Sequence, residues 1–456
     1  MPTQFTARKP FLIALAGAIL VACAPDIALA PADDYRGPFE PGVLLDLVNP
    51  GESLPFTPLA ASAACVAGGK SEQIVLPTGF AQTVVAREGP GYADNADMHT
   101  LNETGIQKGR FLYRTHELGT NAAVSVTDLE TGESRILAQR ADWERFDGIV
   151  WTPWGTILAA EEVNPSVLKD PTLPQSVGGH VYEIDPTTGA ATVRPAVGAR
   201  AHEGLRFDKQ GNLYGISEAS PGYIFKFVPD HKNDLSAGQL YALKIVQDQG
   251  DRTGFASWVA LDRNAVVINS DAEATAKGAT GYARPEDIEI GTSSGNDQSG
   301  NDMLYAAITG EDRVLAIDLN PKGGPKDEVF VSDYVREGVN APTDFDFPDN
   351  LALDQRGNLY ITEDPGGSTA GGKKLGDDIW FAPANPGSTA RALPIRRFAS
   401  ITDCDAEPTG IYVSPSGRTL FVNIQHRGGA DPRDLSIPIS RLRDANFNRS
   451  PFNRVP

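Results

Sequence analysis

The sequence predicts an all-β fold, a six-bladed β-propeller preceded by an N-terminal signal and tether segment. Three observations carry this. A module of two short strands around a turn glycine recurs from Met98 to Gln425. No stretch of about a dozen residues holds an i, i+3, i+4, i+7 apolar stripe, so helical periodicity is scarce. Glycine and proline supply 46 and 34 of the 456 residues, enough for many tight turns.

The N-terminus carries Arg8 and Lys9 and no acid, then an apolar run from Phe11 to Ala22. That run is too short to cross a bilayer and fits the apolar region of an export signal. It ends in Leu20-Val21-Ala22-Cys23, which resembles a bacterial lipobox, so residues 1–22 are expected to be removed and Cys23 lipidated. A rival cleavage site, Ala28-Leu29-Ala30, precedes Pro31, which signal peptidases tolerate poorly. Residues 23–72 are rich in Pro, Ala and Gly and read as a tether. The body then runs over 73–456. Cys65 and Cys404 remain after export, and two leftover thiols in an oxidising compartment usually pair. Two buried free thiols are the alternative.

Within the body, Asp147-Gly148-Ile149-Val150-Trp151 leads to Gly155, Glu203-Gly204-Leu205 to Gly211, Asp349-Asn350-Leu351 to Gly357, and Thr409-Gly410-Ile411 to Gly417. The offset is eight residues in all four copies. A looser copy joins Glu286-Asp287-Ile288 to Met303-Leu304-Tyr305. The most degraded joins Met98–Leu101 to Phe111-Leu112-Tyr113 and Glu117. Second hairpins, such as Val181–Ile184 and Ile379-Trp380-Phe381, follow several copies. Four strands per unit, repeated about every 60 residues, is the pattern of a propeller. After Gln425 no clear second hairpin follows, so the stretch from Gln73 to Arg87 is expected to supply an outer strand and close the ring.

In a propeller the first strand of each blade lines the central channel, so repeat-equivalent acids converge on one axis. Asp147, Glu203, Glu286 and Asp349 start such strands, and Glu407 lies two residues before Thr409. A second tier, Glu117, Glu161, Glu162, Glu218 and Glu363, ends the second strands. Glu161 and Glu162 face opposite ways in an extended strand, and either is open as the inward one. Converging carboxylates repel one another unless a cation sits between them, and an all-oxygen cage suits calcium. Arg200 and Arg284 lie near first-strand starts and are candidates for contacting an anionic substrate. His99, His116 and His202 sit near the presumed mouth, and His202 is a candidate proton carrier. Arginines beside acids and lone histidines at strand starts are also common as purely structural groups.

Several of these motifs resemble one family. Thr152-Pro153-Trp154-Gly155-Thr156 with Glu161-Glu162 is similar to the signature loop of the PhoX-type alkaline phosphatases. So are Thr115-His116-Glu117-Leu118, Ala201-His202-Glu203-Gly204, Arg284-Pro285-Glu286 and Glu363-Asp364-Pro365-Gly366-Gly367. Asp377-Asp378-Ile379-Trp380 and Leu420–His426 continue the series. The resemblance implies an exported six-bladed propeller whose channel holds iron and calcium and hydrolyses phosphate monoesters. It implies metal ligation by Glu117, Glu162, Glu203, Glu286 and Glu407, to which the repeat adds Asp349. Family members usually carry a Cys iron ligand just before the paired glutamates. Here Ala160 stands in that place, and a methyl group coordinates nothing, so Ca2+ is expected and Fe3+ is doubtful.

The expected partner is a small-molecule phosphate ester or other anionic substrate. A formal charge of −19 argues against nucleic acid. Membrane contact is expected only through a lipid anchor, in the periplasm or at the outer membrane, and the protein is expected to be a monomer. Six His and three Cys leave little for a zinc or iron–sulfur site. No Gly-x-Ser-x-Gly elbow, Gly-rich phosphate loop or His-Glu-x-x-His motif is present. Two other readings stay open: a calcium-binding propeller without phosphatase activity, acting as scaffold or ligand-binding module, and a calcium-dependent lactonase-type hydrolase.

Overall fold

The computed structural model describes residues 54, 56–163, 165–292, 302–321, 328–364, 375–388 and 390–441. The expectations for residues 1–53, including lipidation at Cys23, lie outside the described residues. The chain is built from antiparallel strands in a propeller-like arrangement. Six strands lie side by side in sequence order: Ala96–Leu101, Phe146–Trp151, His202–Phe207, Pro285–Thr292, Pro348–Leu353 and Glu407–Val413. The last packs against the first, so these inner strands form a closed ring.

Each inner strand begins a meander. The turn glycines picked out by the repeat, Gly155, Gly211, Gly357 and Gly417, have φ of +92°, +88°, +78° and +67°. Glycine adopts this conformation at little cost. A polar residue at the start of each turn locks it, as where the backbone N–H groups of Asn212 and Asn358 donate to Asp208 and Asp354 Oδ1 (2.8 and 2.9 Å).

The sheets depart from six separate blades. Four blade-sized sheets stand apart, and the rest of the described strands form one nine-stranded sheet. The join is a long hairpin, Asp234–Gly250 with Thr253–Ala260, which outgrows its module. Its second strand pairs Gly254–Ser257 with Val331–Glu328 of the next module. Pairing satisfies two exposed edges at once, a common reason for sheets to merge.

The apolar core lies between neighbouring sheets. One cluster joins Trp143, Phe146, Ile157 and Tyr182, and another Leu158, Val181, Leu205 and Phe225. The seam between the last and first modules is more polar. There the buried Arg114 guanidinium donates to Ser436 Oγ (2.9 Å) and Ser125 Oγ (3.1 Å) and stacks 4.6 Å from the Tyr92 ring.

The N-terminal arm joins two sheets. Ile74–Val75 pairs with the strand Arg396–Ile401, while Phe80–Gln82 and Ala86–Arg87 pair with Leu435–Arg441. Leu435–Arg441 is a strand that the sequence reading missed, because Pro438 sits in its middle and proline removes a ladder donor. The helix Val266–Ala276 was also missed. It buries only Val266, Ser270 and Ala274, too polar a face to read as an apolar stripe. Upstream of Gln73, Phe56 packs on Phe80, Phe381 and Phe398, so part of the sequence-defined tether lies on the sheets. Cys65 and Cys404 are disulfide-bonded, with Cα atoms 5.1 Å apart.

Candidate metal centre

All six inner strands carry a β-bulge near the same place. The register shifts fall between Ala96/His99, Phe146/Ile149, His202/Leu205, Pro285/Ile288, Pro348/Leu351 and Thr409/Tyr412. A bulge kinks a strand and re-aims a side chain. In five strands the first bulged residue is an acid: Asp97, Asp147, Glu203, Glu286 and Asp349, all buried. In the sixth, the first bulged residue is Gly410, and the Oγ1 of Thr409 just before it lies 2.6 Å from Asp97 Oδ1.

A second tier stands nearer the mouth and is half-buried. The backbone N–H groups of Glu117, Glu162, Glu218 and Asp364 donate to the carbonyls of Asn95, Arg145, Ala201 and Phe347. Each of those carbonyls belongs to the residue two before an inner acid. Asn95, Arg145, Arg284 and Phe347 hold φ of +48°, +45°, +47° and +48° there. Non-glycine residues adopt this region at a cost, and such strain is concentrated at functional sites.

Two triads bring ligand atoms within 4.8 Å of one another: Asp147, Glu162 and Glu203, then Glu203, Glu218 and Glu286. Glu203 belongs to both. Burial, then the charge of Asp147 and Glu286, pushes the Glu203 carboxyl well above the usual range. Asp147, Glu286, Asp349 and Glu407 are likewise pushed up by burial and by neighbouring acids. Asp97 is pushed up to about 7 by burial and Glu117. Glu162 is pushed up too, first by burial and then by its hydrogen bond with Glu218.

Asp147 Oδ1 is buried without a hydrogen-bond partner. Leaving a carboxylate oxygen so is costly unless a cation meets it. The donors are all carboxylate oxygens, so this set fits a hard divalent ion.

Arg284 closes the second triad from the mouth. Its Nε donates to Glu218 Oε1 (2.7 Å), and one terminal nitrogen lies 2.8 Å from Glu286 Oε1 and 3.6 Å from Asp364 Oδ2. Asp349 and Glu407 lie on the other side of the ring, electrostatically coupled to Asp97 and Asp364. His426 Nε2 lies 3.4 Å from Glu407 Oε1.

Other candidates point elsewhere. Arg200 is buried in its module, where it donates to the carbonyls of Val197 (2.8 Å) and Ile216 (3.2 Å) and stacks 4.3 Å from Phe225. Alternation along the strand turns His202 away from Glu203. Its Nε2 lies 2.9 Å from Gly198 O, and burial holds its pKa well below the usual value. Neither Arg200 nor His202 therefore meets the acid ring. His99 and His116 bond Gly410 O and Ser125 Oγ (both 2.7 Å), and burial lowers both to about 3.

Glu161 accepts from the backbone N–H of Glu144 (3.2 Å) and His180 (3.0 Å), leaving Glu162 as the inward member of that pair. Glu363 does the same work in its own module, accepting from Trp380 Nε1 (2.6 Å) and the Asp378 N–H (3.0 Å), and Asp364 faces the ring.

Asp147 and Glu218 join the predicted residues in the two triads, and Asp97, Asp364 and His426 lie beside the ring. The repeat offset already pointed to Asp147 and Glu218. Asp97 was hidden because its module has lost the turn signature. Ala160, where the family carries Cys, is fully buried among Leu158, Val181 and Leu205.

The alkaline phosphatase PhoX family profile matches residues 150–328 and 313–428, more than half of the chain. The chain belongs to the PhoX alkaline phosphatase family. A Pseudomonas fluorescens PhoX, solved with vanadate as a transition-state analogue, is similar at 20% identity. The match covers 83% of this chain and 97% of that one, with a TM-score of 0.61, and shows a shared fold. A Xanthomonas campestris gluconolactonase is 11% identical over 86% of this chain and 98% of that one, with a TM-score of 0.46. A Staphylococcus aureus virginiamycin B lyase is 12% identical over 80% and 100%, with a TM-score of 0.44. Both are too distant in shape to bear on function. No curated protein sequence matches the chain. The PhoX family is metal-dependent and acts on phosphate esters, in keeping with the acidic groups described above.

Proposed function

We propose that this chain is an exported, calcium-dependent phosphomonoesterase, with its site at one mouth of a six-bladed channel. The blade count follows from treating the nine-stranded sheet as two blades joined at their outer edges. The ring of six inner strands supports that treatment. The observation that carries the function is the pair of carboxylate triads sharing Glu203, with Arg284 beside them.

Asp147, Glu162 and Glu203 would hold one cation, and Glu203, Glu218 and Glu286 a second. Asp349 and Glu407 would extend the site across the channel. Bound calcium supplies Lewis-acid polarisation of a phosphoryl oxygen. Arg284 orients the equatorial oxygens, and its tight ion pairs hold the guanidinium in one place. The half-buried second tier leaves the mouth open for a small phosphate ester. Periplasmic or outer-membrane placement through Cys23, and action as a monomer, belong to the same proposal.

Ala160 favours a second reading, a calcium-binding propeller without phosphatase activity, because the family's iron ligand is missing at that position. One experiment separates them. Purified protein is assayed for metal content and for p-nitrophenyl phosphate hydrolysis, with and without chelator. The first reading expects calcium in the protein and a rate that falls about 100-fold or more in Glu203→Gln. Calcium-loaded protein with no hydrolysis above the Glu203→Gln background supports the second.

A further inference from the structure

Arg145 has no role in the reading above, yet it occupies the same place in its module as Arg284 does in another. Each lies two residues before an inner acid, and each holds a left-handed backbone, φ +45° and +47°. Arginine gains nothing locally from that conformation, which suits glycine or asparagine. The backbone is held there by the Arg145 N–H donating to Leu118 O and by the Glu162 N–H donating to Arg145 O, both at 2.7 Å. These bonds set the Arg145 backbone beside Glu162 of the second tier, and its charge lies within electrostatic reach of Glu117.

The two arginines differ in commitment. The Arg284 guanidinium is engaged by Glu218, Glu286 and Asp364. The Arg145 side chain is exposed, and among the described residues it forms no ion pair. In a chain of net charge −19, an unengaged arginine beside an acidic ring is unexpected unless something anionic joins it.

We propose that Arg145 binds the phosphoryl group of the substrate, its planar fork contacting the oxygens from the side opposite Arg284. The inference rests on the phosphomonoesterase reading and names a specificity residue within it. Arginine suits this task because its donors match phosphate in two-point contacts.

The test compares calcium-saturated wild type, Arg145→Ala and Arg145→Lys by titration calorimetry with inorganic phosphate. Calcium-induced melting shifts are measured alongside. The expected result is about a tenfold weaker phosphate affinity in Arg145→Ala and an intermediate value in Arg145→Lys, with the calcium shift intact in both. Equal phosphate affinity in wild type and Arg145→Ala overturns the proposal. Loss of the calcium shift in Arg145→Ala also overturns it, since Arg145 would then serve to build the mouth. Arg145-dependent phosphate binding in a wild type that hydrolyses nothing keeps this inference and ends the enzymatic reading. A wild type that binds no phosphate ends both.

Discussion

At the residue scale, the acids of this protein are of two kinds. Glu161 and Glu363 are buried acceptors that tie a second strand to its neighbours through backbone N–H groups. Glu203 and its ring partners have no such local purpose, and burial with like charges makes their ionised forms costly. Asp434 is a third case. It is fully buried at the polar seam, and burial followed by Asp94 pushes it up to about 7. The native state keeps a proton there that the unfolded chain has lost above about pH 4. Asp434 therefore costs stability progressively from about pH 4 to 7, with no further change above. Asp434→Asn keeps the acceptor for the Ala96 N–H and removes the charge. Its urea midpoint should exceed that of the wild type at pH 8 and match it near pH 4. An equal gap at both pH values contradicts this assignment.

At the element scale, the repeated bulge is what turns an acid at a strand start toward the ring. An unbroken ladder would alternate side chains between the two faces of each sheet. In five of the six inner strands the bulge instead directs an acid toward the ring, and where a glycine follows the acid it must fit tightly. A Cβ at Gly148 would overlap the Glu203 carbonyl, and a Cβ at Gly204 would overlap Asp287 Oδ1. Gly148→Ala should cost about 1–3 kcal/mol by chemical denaturation. It should also weaken calcium binding, because Asp147 and Glu203 would be forced apart. Full calcium affinity in a destabilised Gly148→Ala would show that the ring tolerates a wider spacing. The bulge was not legible in the sequence as a bulge. Its trace was the glycine after the acid in Asp147-Gly148 and Glu203-Gly204, repeated after Thr409 as Gly410.

At the scale of the whole molecule, ring closure and the proposed metal site share the same inner strands. The N-terminal arm contributes strands to two sheets, and the Cys65–Cys404 bond ties residues 339 apart in sequence. Replacing both cysteines with serine should cost about 2–5 kcal/mol. An unchanged denaturation midpoint would mean that strand pairing alone holds the arm. The acid ring sets a second dependence. Carboxylates raised in the native state retain protons that the unfolded chain releases, so metal-free protein loses stability as pH rises above about 4. A ligand that binds only the native state offsets this. Chelated protein should therefore melt lower at pH 8 than at pH 5, and added calcium should raise the melting temperature more at pH 8. A calcium response no greater at pH 8 than at pH 5 would argue against the ring as the calcium site.

The sequence by itself determined the strand–glycine–strand module, its repetition, and the acids at equivalent starts, because period-two patterning and turn chemistry are local properties. It also carried the family, through short motifs in a fixed order. Only the tertiary structure decided which acids meet. Glu162 was separated from Glu161, and Asp364 from Glu363, by the face each presents once the second strand is paired. Arg200 and His202, promising by position, turned into the sheets because their own module and the loop leading into it supplied carbonyls and an aromatic ring to receive them. The merged nine-stranded sheet and the proline-bearing last strand depended on partners far away in the chain. Local spacing carries no record of such partners, and so these features emerged only with the fold.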